Sequence, residues 1–345
     1  MATRSGCFIV PKSVLDRLAR DASLKQATRT ACRATAQMEV SWRELRGAHG
    51  LAAQAHLGTA LAGVSLAGAP AITVANCHGS TSLPGTPVPN PGSSTDATAK
   101  RCFIETTAVA RFYKTCFGRN SVDNLGMTLA SSIHYGHAYN NAFWNGTQMI
   151  YGDGDQQIFV DFTRSNDVIG HELTHGVTQF TAGLDYADEP GALNESVSDC
   201  FGAMFRQWRA GQAASTADWL IGSGIIGPLA AKKGYTCLRD MANPGASHCL
   251  SKQPSHYSQY VPGGDPHDNS GIPNHAFYLI AMGIGGRSWS TIGRIWYAAL
   301  TSPSAKPSMG FKAFKKLTAA AAKSLFPGNS AVYAEVVKGW KAVGV

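Results

Sequence analysis

His171-Glu172-Leu173-Thr174-His175 places two histidines four residues apart. On an α-helix, residues at this spacing lie about one turn apart on the same face, close enough for both imidazoles to bind one metal ion. Glu172 lies about 100° around the helix from His171, so it can reach the open side of the metal as a base without being a ligand. The pentapeptide therefore predicts a metal site with an adjacent general base.

The residues around this pentapeptide favour a helix of about 14 residues. Ser165 to Asp167 offer side chains that start helices, Gly183 offers a stop, and an apolar stripe runs through Ile169, Leu173 and Val177. A pair of ordinary core or surface histidines is the alternative for an isolated pentapeptide. A third ligand downstream decides against it.

The third ligand comes from the run Gly191 to Asp199. A catalytic zinc ion needs three protein ligands and an open fourth position. The helical pattern of this run leaves Glu195 and Asp199 together on one face, four residues apart. We assign Glu195 to the metal and Asp199 to a hydrogen bond that orients a ligand imidazole. The alternative for both is an ordinary carboxylate on a helix.

Taken together, HELTHG (171–176) and GALNESVSD (191–199) resemble the thermolysin family of zinc metallopeptidases. Further similar stretches are NNAFWNG (140–146), YGDGD (151–155), AGLDY (182–186) and NSGIPNHAFYLI (269–280). The start Cys7-Phe8-Ile9-Val10-Pro11 resembles the protealysin-like branch, whose members have a short amino-terminal pro-segment. The resemblance implies an α+β fold with a β-rich amino-terminal lobe and a mainly α-helical carboxy-terminal lobe, joined by the zinc-binding helix.

Composition divides the chain in the same way. We predict a helical pro-segment at 1–50, an Ala/Gly-rich linker with the processing site at 51–71, a β-rich catalytic lobe at 72–182 that ends in the HELTH helix, and an α-helical lobe at 183–345. The resemblance implies that the pro-segment is an intramolecular inhibitor that is later cut off, whereas a permanent helical domain is the alternative. Cys7 is a candidate ligand to the zinc in the precursor, because thiolates bind zinc well.

The formal charge of +8 is concentrated in the pro-segment, since residues 1–50 carry +5 of it. No nucleic-acid-binding motif accompanies this charge, so we predict no nucleic-acid partner. No apolar run is long enough for a signal peptide or a membrane span. We therefore expect no membrane partner, synthesis in the cytoplasm and, if the protein is exported, a non-classical route. We also expect a monomer.

The chain has 8 cysteines, none in a CxxC or zinc-finger spacing, so the sequence predicts no second metal site. Cys237 and Cys249, on either side of a Gly/Pro-rich loop, are candidates for a disulfide that would brace Arg239. Cys77 and Cys102 are the other candidate pair, and spacing alone decides neither.

The resemblance implies a zinc endopeptidase with one catalytic Zn²⁺ held by His171, His175 and Glu195. Glu172 is the general base, and His267 and Tyr186 donate hydrogen bonds to the developing oxyanion. Two competing functions are a non-catalytic zinc-holding homologue that acts as a binding protein, and an aminopeptidase built on the same metal helix. The intact set of catalytic residues favours chemistry over binding alone.

By the same resemblance, substrates are peptides or proteins held along their backbone. The Asn141 side chain and the Ala142 carbonyl hold the peptide, and Arg239 binds a substrate carbonyl through its fork of donors. Six apolar residues correspond to the pocket for the residue after the cut: Phe159, Phe162, Val168, Ile221, Ile225 and Leu238. We predict cleavage before bulky hydrophobic residues.

Two departures from the family pattern carry further expectations. Members usually bind two calcium ions through a cluster of acidic residues; here Asp167 and Asp218 remain, but a cation, Arg206, stands among the other positions. We predict that the double calcium site is absent and that Arg206 replaces it between the two aspartates. The segment before His267 is also different, which leaves its carboxylate partner open, with Asp265 as a candidate.

Overall fold

The computed structural model describes residues 7–42 and 68–345. The predicted linker with its processing site at 51–71 lies outside the described residues, except for 68–71. Within the first described stretch, strand β1 (Cys7–Phe8) precedes helix α1 (Lys12–Arg20), and a second helix, α2, covers 26–42.

The amino-terminal lobe is built on a six-stranded mixed sheet with the order β1-β5-β6-β4-β2-β3. The other strands are β2 (Ile72–Asn76), β3 (Thr86–Pro87), β4 (Leu129–Ile133), β5 (Ala142–Trp144) and β6 (Met149–Tyr151). β2 and β6 both run parallel to β4, and the remaining pairs are antiparallel. The predicted pro-segment supplies the edge strand: Cys7 lies opposite Trp144 and Phe8 opposite Phe143.

Helix α3 (Ala97–Phe117) is a 21-residue element in this lobe that the sequence analysis did not predict. The Asp96 side chain caps it by accepting hydrogen bonds from the backbone N–H groups of Thr98 and Ala99. Gly118 ends it in the left-handed conformation, with φ +70°, which glycine adopts without a Cβ penalty. The lobe is therefore a mixed sheet with a long packed helix.

Helix α4 (Asn166–Gln179) has 14 residues and carries the HELTH pentapeptide, as predicted. It packs against α5 (Asp188–Ala210), which carries Glu195. Glycines make the approach very close, because a Cβ on Gly202 would lie 2.5 Å from the Asp167 carbonyl oxygen. This contact between two helix backbones brings the side chains of α5 within reach of the α4 histidines.

The carboxy-terminal lobe is mainly helical, in agreement with the predicted α+β fold of two lobes. A two-stranded sheet joins β7 (Leu220–Ile221) to β8 (Arg239–Asp240). The helices after α5 are α6 (Pro228–Lys232), α7 (Pro266–Asn269), α8 (Gly271–Ile284), α9 (Ile292–Leu300), α10 (Phe311–Leu325) and α11 (Ser330–Ala342). Among the described residues, no helix combines the length and apolarity that crossing a membrane requires.

The pro-segment helices bind both lobes. On the carboxy-terminal lobe, Arg17 of α1 donates to the Leu250 carbonyl at 2.5 Å. On the amino-terminal lobe, the Trp42 indole of α2 donates to the Tyr135 hydroxyl at 3.1 Å. The predicted pro-segment therefore contacts both lobes.

Candidate active site

Three predicted metal ligands converge at the contact between α4 and α5. His171 Nε2 lies 2.9 Å from His175 Nε2 and 3.3 Å from Glu195 Oε2, and His175 Nε2 lies 3.5 Å from Glu195 Oε1. Ligand atoms about 2.0–2.1 Å from one tetrahedral zinc ion are separated by roughly 3.3 Å. The spacing of these three donors therefore fits a zinc ion at their centre.

Hydrogen bonds to the other ring nitrogens fix which imidazole atoms face that centre. His171 Nδ1 lies 2.9 Å from Asp199 Oδ1, and His175 Nδ1 lies 2.9 Å from Asn194 Oδ1. Because both partners are acceptors, each Nδ1 carries a proton and each Nε2 presents a lone pair. Two lone pairs 2.9 Å apart repel each other unless a cation lies between them. The donor set thus fits a metal ion on chemical as well as geometric grounds.

Glu172 is fully buried beside this centre. Burial raises its pKa to about 8. A carboxyl group with a pKa near neutrality can both accept and return a proton. This is the property that the predicted general base requires.

His267 and Tyr186 meet beside Glu195, with 3.3 Å between the Tyr186 hydroxyl and His267 Nε2 and 3.4 Å between His267 Nε2 and Glu195 Oε2. The Tyr186 hydroxyl also donates a hydrogen bond to Glu195. Asp265 lies 2.7 Å from His267 Nδ1 and also accepts from the His267 backbone N–H. The structure therefore identifies Asp265 as the carboxylate beside His267, the candidate that the sequence left open.

The predicted peptide-binding residues all contact the backbone of the pro-segment strand. The N–H of Ile9 donates to the Ala142 carbonyl at 3.1 Å, and Arg239 Nη1 donates to the Ile9 carbonyl at 2.7 Å. The Asn141 side chain accepts from the Val10 N–H at 2.9 Å and donates to the Val10 carbonyl at 3.0 Å. The backbone of Ile9 and Val10 therefore occupies the predicted peptide-binding contacts, directly after the strand pairing of Cys7 and Phe8, and the chain bends at these two residues.

Two more contacts place this strand over the ligand centre. His267 Nε2 donates to the Phe8 carbonyl, so the bond between Phe8 and Ile9 lies at the predicted catalytic residues. Cys7 offers a ligand atom within 4.8 Å of those of His175 and Glu195. The candidate ligand in the pro-segment thus lies next to two of the predicted zinc ligands.

The six apolar residues predicted to line the pocket all have 0% relative exposure: Phe159, Phe162, Val168, Ile221, Ile225 and Leu238. They belong to the same apolar cluster as Ile9 and Val10. Phe8 belongs to a separate cluster, where its ring centroid lies 4.9 Å from that of Phe143. The side chains of Phe8 and Ile9 therefore enter different apolar regions.

Sequence reasoning missed several polar groups of the site. Asn194 and Ser198 both contact His175 Nδ1, at 2.9 and 3.1 Å. Their spacing of four residues beside Glu195 is a helical-face signal that could have indicated them. Asn274 donates to Asp199 at 2.8 Å, and Glu39 of α2 accepts from Asn141 at 2.5 Å. No local pattern points to these last two, because their partners are distant in sequence.

Arg206 lies between the two aspartates that remain of the acidic cluster. Its guanidinium forms an ion pair with Asp218 and lies 3.9 Å from Asp167 Oδ2. It also donates to the Ser223 hydroxyl at 3.1 Å. The position agrees with a cation in place of calcium, whereas the absence of calcium binding stays a prediction.

Comparison with known proteins gives a consistent result. Residues 89–179 match the family description "Thermolysin metallopeptidase, catalytic domain" and residues 182–345 match "Thermolysin metallopeptidase, alpha-helical domain". The chain is 45% identical to an "Extracellular metalloprotease" of Pectobacterium carotovorum over 68% of this chain and 69% of that protein. It is 38% identical to a "Thermolysin" of Alicyclobacillus acidocaldarius over 73% of this chain and 46% of the relative.

Among solved structures, the chain is similar to the precursor of protealysin, a metalloproteinase from Serratia proteamaculans. The two share 35% sequence identity with a TM-score of 0.83, over 98% of this chain and 99% of that one. The similarity therefore includes the amino-terminal segment before the sheet as well as both lobes.

Proposed function

Because this chain belongs to the thermolysin family and is a zinc metalloendopeptidase, we propose that it cleaves peptides before bulky hydrophobic residues and is made as a self-processing zymogen. The observation that carries this proposal is the path of residues 8–10 along the cleft. Their backbone uses every predicted peptide-binding residue, with Phe8 and Ile9 on either side of the catalytic position.

The chemistry follows from the groups around the Phe8 carbonyl. A zinc ion held by His171, His175 and Glu195 would acidify a water molecule and polarise the scissile carbonyl. Glu172, fully buried beside the three ligands, is placed to accept a proton from water and to return one to the leaving amine. His267 and Tyr186 donate hydrogen bonds to the oxygen on which negative charge develops.

The position of Ile9 supports the specificity. Its N–H and carbonyl make the two hydrogen bonds expected of the residue after the cut, and its side chain is fully buried in the main apolar core, to which the six predicted pocket residues also belong. An apolar pocket favours large aliphatic or aromatic side chains and penalises a charged one, which would lose its hydration there. We therefore assign the pocket to Leu, Ile or Phe of the substrate.

The same contacts support the zymogen. With residues 8–10 in the cleft, a substrate backbone has no access to Ala142, Arg239 or Asn141. The Cys7 thiol lies close to His175 and Glu195 and would supply a fourth ligand to the zinc in place of a catalytic water. We assign residues 1–50 to the inhibitor and the cut to 51–71, so that the lobes at 72–182 and 183–345 form the mature enzyme.

The extracellular relative favours action outside the cell for the mature enzyme, although the synthesis and export route stay a prediction. We expect active protease in the culture medium of the producing organism and intact precursor inside its cells. Mature enzyme confined to the cell interior would contradict an extracellular role.

The decisive experiment follows cleavage and mass together. The purified chain is incubated with casein and a Leu-containing quenched peptide, with and without a zinc chelator, beside a Glu172→Ala chain as control. We expect chelator-sensitive internal cleavage and loss of the residues before a cut within 51–71, both absent from Glu172→Ala. A zinc-loaded, trimmed chain without activity would instead support the binding-only homologue.

A peptide library with the trimmed enzyme tests specificity separately. Preference for Leu, Ile or Phe after the cut is expected. A preference for Lys or Asp at that position would contradict the assignment of the pocket.

A further inference from the structure

A second group of metal-binding side chains lies in the carboxy-terminal lobe, outside the site described above. Cys237, His248 and Cys249 each offer one ligand atom, and these three atoms lie within 4.8 Å of one another. The spacing of these residues in the sequence resembles no known zinc motif, which is why the sequence predicted no second metal. The fold brings them together through pairing of two chain segments.

The sulfur atoms have the separation that a shared metal ion requires. Cys237 Sγ and Cys249 Sγ lie 3.7 Å apart. Two thiolates at about 2.3 Å from one tetrahedral zinc ion have sulfurs roughly 3.8 Å apart. A disulfide would need the sulfurs to approach to about 2.05 Å.

Backbone hydrogen bonds hold this geometry in place. The Thr236 N–H donates to the His248 carbonyl at 3.0 Å, and the Leu250 N–H donates to the Cys237 carbonyl at 3.1 Å. These bonds fix the Cys237 and Cys249 backbones side by side as a parallel β-bridge. The ligands are therefore arranged before any metal binds, which lowers the entropic cost of binding.

The surroundings resemble those of a built metal site. Both cysteines are buried, with Ala246 and Leu220 packed against them. The His248 ring lies 3.1 Å from Asp240 Oδ2 and keeps 37% of its side chain exposed. Asp240 is itself held by the N–H groups of Ala242 and Asn243. A carboxylate that orients a ligand histidine is a common feature of zinc sites, and the exposed side admits the ion and a water.

We propose that Cys237, His248 and Cys249 bind a second, structural Zn²⁺, with water or a moved Asp240 carboxylate as the fourth ligand. Binding replaces the protons of the two thiols, which leave to solvent. The ion would link the chain at Cys237 to the chain at His248 and Cys249. Arg239, two residues after Cys237, is thereby held toward Asp199 and the peptide carbonyl.

The test measures the zinc content per chain of a variant, the background protein, in which no thiol lies at the catalytic site. The full chain carries Cys7→Ser, which removes the pro-segment sulfur, and Glu172→Ala, which prevents cleavage. We expect two zinc ions per chain by elemental analysis, and one after Cys237→Ser or Cys249→Ser. Cys116→Ser, a partly exposed cysteine of α3, is the matched control and should keep two.

Cobalt substitution gives an independent readout. A sulfur-to-cobalt charge-transfer band is expected in the background protein and in Cys116→Ser, and it should disappear in Cys249→Ser. His248→Ala, a change at a partly exposed side chain, should release the second ion to a weaker chelator while the first is retained. This variant keeps the proposal testable if a serine at the buried positions prevents folding.

Three results would overturn the proposal. The first is a single zinc ion per chain in the background protein, and the second is a second zinc ion that remains bound in Cys237→Ser, Cys249→Ser and His248→Ala alike. The third is a disulfide between Cys237 and Cys249. A disulfide would appear as a chain two hydrogens lighter whose Cys237 and Cys249 resist alkylation until reduction. Failure of the proposed protease activity would leave the metal count unchanged, so the two proposals fail separately.

Discussion

Arg239 forms a fully buried, two-point ion pair with Asp199: Nε donates to Oδ2 at 2.8 Å and Nη2 donates to Oδ1 at 2.7 Å. Asp199 Oδ1 also faces His171 Nδ1 at 2.9 Å. One carboxylate therefore joins the residue that binds the peptide carbonyl to a predicted metal ligand. The Arg239 guanidinium holds the pKa of Asp199 down, to about 2, although burial opposes this, so the carboxylate stays charged.

Asp199→Asn tests this connection. The amide keeps the shape but removes the charge, so we expect zinc affinity to fall by about 10–100-fold, as for other lost partners of ligand histidines. Zinc release to a competing chelator measures the change, with Glu335→Gln on the surface helix α11 as the control. Unaltered zinc affinity in Asp199→Asn would show that the carboxylate does not support the ligand.

Cys7→Ser tests the zymogen. Serine is a poor zinc ligand compared with a thiolate, so the uncut Cys7→Ser chain should hydrolyse a reporter peptide or trim itself faster than the parent. Cys32→Ser is the matched control, since Cys32 is also buried in the pro-segment but contacts Asn140 rather than the metal ligands. An inert, untrimmed Cys7→Ser precursor would contradict the role of this thiol.

Arg206 tests the predicted loss of calcium. Since its guanidinium occupies the place between Asp167 and Asp218, we expect the melting temperature to be the same with a calcium chelator and with added calcium. Arg206→Ala leaves the buried Asp167 without its cation and should lower the free energy of unfolding by about 1–3 kcal/mol. A large rise in the melting temperature of the parent with calcium would refute the prediction.

His134 predicts a specific pH dependence of stability. Hydrogen bonding to Asp153 raises its pKa from 6.5 to about 9, and Asp96 contributes further. Its stabilisation is therefore complete below about pH 6.5, where His134 is charged in both folded and unfolded chains, and is lost as pH rises through about 9. His134→Gln should cost about 1–2 kcal/mol at pH 6, after allowance for partial exposure of the pair, and much less at pH 10.

Urea unfolding of parent and variant at both pH values measures this difference. His256→Gln, at an exposed histidine, is the control. An equal loss at pH 6 and pH 10 would mean that His134 contributes through packing rather than charge.

Local spacing predicted much of the candidate site. The positions four residues apart in His171/His175 and Glu195/Asp199 define helix faces, and the helices that carry them have the expected form. The 21-residue helix α3 was missed, because it follows a segment rich in turn residues that favoured strands and turns in this part of the chain. Pairings such as Phe8 with Phe143 depend on tertiary packing between segments far apart in sequence, which no local period records.

The same limit explains why the sequence did not predict the grouping of Cys237 and Cys249 with His248. Spacing left Cys237 and Cys249 as candidates for a disulfide, whereas the β-bridge that aligns them and the nearby His248 imidazole are visible only in the folded chain. Asp265 is a similar case, since its role beside His267 depends on a turn that the altered local sequence did not reveal.

Because β1 is an edge strand of the sheet, activation of the proposed zymogen depends on the volume in which the cut pro-segment is diluted. In the proposed zymogen, residues 7–10 are joined to the enzyme by the chain and would compete with substrate at a fixed effective concentration, on the order of millimolar, whatever the amount of protein present. After the proposed cut, the same residues would become a separate inhibitor that can be diluted. In a small compartment, the cut pro-segment would stay concentrated, rebind and keep the enzyme inactive. Release into a large volume would dilute the pro-segment and activate the enzyme without any further chemical signal.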